Sequence, residues 1–164
     1  MACACYLLIG HFAGGAFSIG DTDINTQASL LTVTRELVPE DQRMDVVEQL
    51  FGIAFPLQLE PVVYGITDQM AKDYDGGYWN FYTLSNGGFY MAPAEDKVFH
   101  VKCQNMYEGD LSADALGIVA CEYAYSNLPF SLSDVAREYA RHYHLLREYV
   151  VEHPEVREIL GATD

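Results

Sequence analysis

Ser85, Asp114 and His144 stand in the chain order of a hydrolase triad, the first chemistry the sequence offers. A serine nucleophile of that kind sits in a G-x-S-x-G elbow between a strand and a helix. Ser85 instead precedes Asn86-Gly87, where turn formation accounts for it. His142 and His144 are two positions apart and point about 200° apart on a helix, so they cannot share a metal ion. His11, His100 and His153 are scattered. Cys3, Cys5, Cys103 and Cys121 fit neither a disulfide framework nor a zinc site and are read as reduced; Cys3-x-Cys5 lacks the second ligand pair that a soft metal needs. Cys103 falls on the inward phase of a strand and Cys121 within an apolar helix, where thiols act as small apolar groups. Gly76-Gly77 and Gly87-Gly88 lack the phosphate-loop spacing and its lysine. These residues point to no catalytic centre, no metal and no cofactor, with an unrecognised hydrolytic site as the alternative.

Composition narrows the partners. The chain has 164 residues, with 24 Asp and Glu against nine Lys and Arg, a net charge of −15. Direct binding to nucleic acid needs clustered cations and is disfavoured. Half the residues are apolar, enough for a globular core in one domain of ordinary size. Ala2 to Gly20 is uncharged and fairly apolar, yet no Lys or Arg precedes it, His11 interrupts it and glycines dilute it, so no membrane segment is expected. The cytoplasm is the natural compartment. Residues 1–34 read as an N-terminal extension or linker outside the fold, and 35–164 as a single domain.

The elements that would position any site centre on Asp75 to Pro93, which holds the only Trp and Gly76, Gly77, Gly87 and Gly88. Its order of turn, aromatic strand, Asn-Gly turn and strand predicts a β-hairpin, with Asn86-Gly87 where a tight turn needs positive φ. Trp79 and Phe81 form the better core set, leaving Tyr78, Asn80 and Tyr82 on the other face. Ordered structure is expected to begin near Pro39, with Met44, Val47, Leu50 and Phe51 at helical spacing until Gly52. A second helix starts near Pro61, with Val62, Val63, Ile66, Met70 and Tyr74 inward. Val98 to Cys103 alternates as a third strand of the same small sheet. Ser112 caps a third helix with Leu116, Val119, Ala120 and Tyr123 buried, and Pro129 interrupts it. Ser131-x-x-Asp134 resembles a capping box before a helix through Val135, Tyr139, His142 or Tyr143, Leu146 and Val150, and His153-Pro154 leads to a last helix ending near Leu160. The fold class is therefore α+β: a small antiparallel sheet built on a central hairpin and packed with helices from both sequence flanks.

The blocks Asp73-Tyr74-x-Gly76-Gly77-Tyr78-Trp79-x-Phe81-Tyr82-x-Leu84-Ser85-Asn86-Gly87-Gly88-Phe89-Tyr90-x-Ala92-Pro93, Leu111-Ser112-Ala113-Asp114-Ala115-x-Gly117-Ile118, Tyr143-His144-x-Leu146-Arg147 and His153-Pro154-Glu155 resemble the ArdB/KlcA antirestriction family. The resemblance runs from about Val38 to the C-terminus. It implies a cytoplasmic protein, often carried by plasmids or other mobile elements, that relieves type I restriction of incoming unmodified DNA. It also implies a mixed α and β fold, no enzymatic activity, and a type I restriction-modification enzyme as direct or indirect partner. The acids are spread in ones and twos, the densest group being Glu40, Asp41, Asp45 and Glu48, which favours protein contacts over imitation of DNA; an acidic mimic in the enzyme's DNA groove is the alternative. Polar residues of the shared blocks that a core does not require give the candidate surface: Asp75, Asn80, Tyr82, Ser85, Asn86, Asp114, His144 and Arg147.

Overall fold

The computed structural model describes residues 32–128 and 134–164. The hairpin forms as the alternation predicts. Strand β2 (Trp79–Leu84) pairs antiparallel with β3 (Phe89–Pro93), placing Tyr82 opposite Tyr90 and Asn80 opposite Ala92. Trp79 and Phe81 are buried. The turn differs from the expected one: Gly87 N–H closes it onto Leu84 O, and Gly87 has φ +86° while Asn86 does not enter the positive region. A left-handed glycine after two ordinary turn residues makes the longer, bulged connection rather than the two-residue one.

The hairpin's third strand is β1 (Arg35–Leu37), antiparallel to β2, where sequence reading placed the start of the fold only at Pro39. Three residues exposed on both faces carry no alternation to read. The strand expected as third, β4 (Val98–Lys102), pairs instead with β5 (Glu108–Ser112) in a separate two-stranded sheet. Segment β5, EGDLS, was missed because its composition disfavours strands; pairing rather than propensity holds it extended. Between the strands run α1 (Arg43–Phe51), entered through a 3-10 turn, and α2 (Glu60–Met70), entered through a π-helical turn at Phe55–Leu59. Met44 is exposed, against expectation, and Tyr74 lies beyond the end of α2 because Ala71 turns extended to bridge Val101. The capping-box residues Ser131 to Ser133 and Pro129 lie outside the described residues, as do Cys3 and Cys5.

Helix α3 (Ala113–Asn127) is the centre of the fold. Ser112 caps it by accepting the Ala115 N–H. Rather than one buried face, it is buried almost all round, packing on β3, α2, α4 (Asp134–Val150) and α5 (Val156–Thr163). Gly117, Cys121 and Tyr125 follow at four-residue spacing along the edge of β3. A Cβ at Gly117 would lie 2.4 Å from Ala92 Cα and 2.5 Å from Met91 O. The Cys121 thiol lies 3.4 Å from Met91 N and 3.6 Å from Met91 O, and the Tyr125 hydroxyl donates to Phe89 O. Helix α4 adds Tyr139, His142, Leu146 and Val150, all fully buried. His142 lies among Phe51, Tyr125 and Tyr139 with neither ring nitrogen hydrogen-bonded, and burial lowers its pKa to about 4, with Arg141 adding to the effect.

Two stability measurements follow. Gly117→Ala is expected to destabilise by about 1–3 kcal/mol in chemical denaturation, through forced separation of α3 from β3. Gly65→Ala, mid-α2 with open space around it, is expected to stabilise by about 1 kcal/mol. The unfolded chain protonates His142 before the folded one does, so stability held above pH 6.5 is lost as pH falls toward about 4. His142→Phe is expected to flatten that part of the pH profile, read as melting temperature against pH.

Candidate functional site

The hairpin register creates the site. Tyr82 and Tyr90, paired across β2 and β3, stack with ring centroids 4.9 Å apart, the guanidinium of Arg35 lies 4.8 Å over Tyr82, and Tyr149 of α4 stacks on Tyr90 at 5.8 Å. The result is a column running from the first strand to the end of α4. Its polar atoms converge on Asp114, in the first turn of α3. Arg35 Nη1 donates to Asp114 Oδ1 and, at 2.6 Å, to the Tyr90 hydroxyl, which itself donates to the same carboxylate oxygen at 2.9 Å. His153 Nε2 lies 3.0 Å from Oδ2. The Glu155 N–H donates to His153 Nδ1, so that nitrogen is the unprotonated one and Nε2 carries the hydrogen. Glu155 in turn accepts from Ser112 N and Oγ at the cap of α3.

Burial pushes the Asp114 carboxyl up, but His153, Arg35 and Tyr90 together outweigh it and hold it below the usual carboxylate range. Burial and the Asp114 charge push the Tyr90 phenol well above its ordinary value. The carboxylate is thus permanently ionised and donor-saturated. Neither nitrogen of His153 is free to take a proton from a nucleophile, which makes this Asp-His pair a brace rather than a catalytic dyad.

Beside the column lies a cleft of about 260 Å³ lined by Arg35, Asn80, Tyr82, Glu95, Asp114 and the end of β3. The Asn80 amide and the Tyr82 hydroxyl, both half-exposed, make no hydrogen bond to the described residues. Of the sequence candidates, Asn80, Tyr82 and Asp114 meet here. The others are placed elsewhere. Ser85 Oγ accepts the Thr34 N–H, and Asn86 pins the hairpin tip to α4 through Leu145 O and Glu148. Asp75 is exposed in the loop before β2, and His144 is exposed on α4. Arg147 holds the C-terminal end through Thr163 and Asp164 and reaches buried Glu122, whose carboxyl burial raises to about 7 despite that arginine. Ser85, Asp114 and His144 share no hydrogen bond, so the triad order has no counterpart in space. No group of three or more His, Cys, Asp or Glu among the described residues is placed to hold a metal.

Arg35, Tyr90, Tyr149 and His153 were missed. Arg35 borders the stretch read as linker, and His153 was read only as a helix breaker. The Tyr82–Tyr90 pair was within reach of sequence, because the hairpin register alone sets those two rings side by side.

Residues 72–164 match the antirestriction protein family, and the chain belongs to it. It is 38% identical to the antirestriction protein KlcA of Escherichia coli over 144 residues, covering 86% of this chain and all of that one. It is 41% identical over 141 residues to the protein YafX of Escherichia coli K12, covering 82% of this chain and 88% of that one. A solved structure from work on KlcA and ArdB superposes with a TM-score of 0.75 at 38% identity, covering 80% of this chain and 95% of that one. Those two proteins are described as having a novel fold and antirestriction activity against type I DNA restriction systems in vivo but not in vitro.

Asp114→Asn is expected to cost about 1.5–3 kcal/mol at neutral pH, the range for hydrogen bonds to a charged group. The folded pKa is depressed, so the carboxylate's contribution is present above the ordinary carboxylate range and is lost as pH falls below it. The Asn variant is expected to lack that acid-side loss in urea titrations at stepped pH.

Proposed function

We propose that this protein relieves type I restriction of incoming unmodified DNA by contacting the restriction complex through protein surfaces, with residues 35–164 as the protective unit. It acts in the cytoplasm, without filling the DNA groove and without catalysis of its own. The observation that carries this reading is the activity of KlcA and ArdB in vivo but not in vitro. A groove-filling mimic competes directly and inhibits purified enzyme, so such a split favours another mode of action.

The arrangement of charge supports it. Asp114, Glu122 and Glu155 are engaged inside the fold. The densest acidic group, Glu40, Asp41, Asp45 and Glu48, occupies one 3-10 turn and the nine-residue α1. That helix is about 14 Å long, too short to copy the phosphates of a duplex turn of about 34 Å. The cations are equally unsuited to binding DNA, since Arg35, Lys97, Lys102, Arg141 and Arg147 are all ion-paired.

The test is plating of unmodified phage on type I-restricting cells. Wild type is expected to restore plaques, and replacing Glu40, Asp41, Asp45 and Glu48 together by their amides is expected to leave the rescue intact. Loss of rescue in a folded quadruple variant, with salt-sensitive competition between the wild-type protein and DNA for the enzyme, would establish the mimic instead.

A further inference from the structure

The two outer edges of the three-stranded sheet are treated differently. Along β3, α3 lies against the edge, and Cys121 and Tyr125 supply side-chain partners to Met91 and Phe89. Along β1 no described residue does so. Ser85 N–H donates to Thr34 O and Val38 N–H to Phe81 O, each at 2.8 Å, and Glu36 is the hydrogen-bonded partner of Thr83. Residues 34, 36 and 38 therefore bond inward, and the N–H and C=O of Arg35 and Leu37 point outward. Leu37 is also 51% exposed. An open edge is a template for a further strand.

The face next to this edge holds side chains with hydrogen-bonding capacity to spare. Leu37 is opposite Tyr82 in register, so a residue added beyond Leu37 would place its side chain toward Tyr82 and the cleft. There it would meet the Tyr82 hydroxyl, the Asn80 amide and the Glu95 carboxylate. Glu36 is exposed on the strand itself. A second copy of the chain would bring another net charge of −15 to this acidic rim. A basic segment is complementary to it.

We propose that β1 and the adjoining cleft form the docking surface for an extended segment of the restriction complex. The segment adds antiparallel or parallel to the outer edge of β1 through Arg35 and Leu37 and sets a Lys or Arg side chain into the cleft. This rests on the protein-contact reading above and names the surface it uses.

Two variants test it in the full chain. Leu37→Pro removes an N–H that the fold does not use and fills the edge with a ring; Leu37→Lys keeps the backbone and sets a like charge before a basic segment. Both are expected to melt with the wild type and to protect unmodified phage about tenfold less or worse, the loss of one hydrogen bond with its contact. Rescue equal to wild type by the folded variants overturns this proposal and leaves the protein-contact reading standing. Absence of rescue by the wild type overturns both. If Leu37→Pro fails to fold, Leu37→Lys decides.

Discussion

The close approach of α3 to β3 is the constraint on which the rest of the structure depends. With no side chain at Gly117, the helix backbone comes against Ala92 and Met91, near enough for Cys121 to sit beside the amide and carbonyl of Met91 and for Tyr125 to bond Phe89. In most sheets a neighbouring strand satisfies an edge; here a helix does so with a thiol and a phenol. Cys121 is therefore buried for its hydrogen-bonding reach as much as for its size, and burial pushes its thiol up to about 12, which keeps it inert.

That packing also sets the position of Asp114. The carboxylate lies one residue into α3, and the axis of α3 is fixed by its contact with β3, so the distance from Asp114 to Tyr90 is determined by the same contact that buries the helix. Arg35, Tyr90 and His153 then converge from three separate stretches of chain on one anion. A half-buried charge with so many donors contributes more to a unique arrangement than to raw stability, since desolvation offsets much of the attraction.

How much of this was legible depended on the range of the interaction. The hairpin, the Ser112 cap, the inward phase of β4 and the apolar stripe of α4 are local patterns, and periodicity with turn chemistry revealed them. Strand β1 was invisible because three exposed residues carry no period, and β5 because Glu, Gly and Asp argue against a strand until β4 is there to pair with it. The all-round burial of α3 was underestimated, although its small apolar residues, Ala115, Gly117 and Ala120, hinted at close neighbours on every side. In the site, Asn80, Tyr82 and Asp114 were selected as polar residues without a core role, whereas Arg35 and His153 became visible only once tertiary structure joined positions far apart in sequence.

The Asp114 cluster has a consequence for the order of events as the protein is made. Arg35 is near the start of the folded region and His153 near its end, and both close on a carboxylate midway between them. During synthesis β1 has no partner until β2 follows, and the carboxylate lacks its histidine until the last turns of the chain are added. The native arrangement around Asp114 is therefore a late, all-or-none event, and a chain cut short before His153 leaves that anion half-buried with one of its oxygens unanswered.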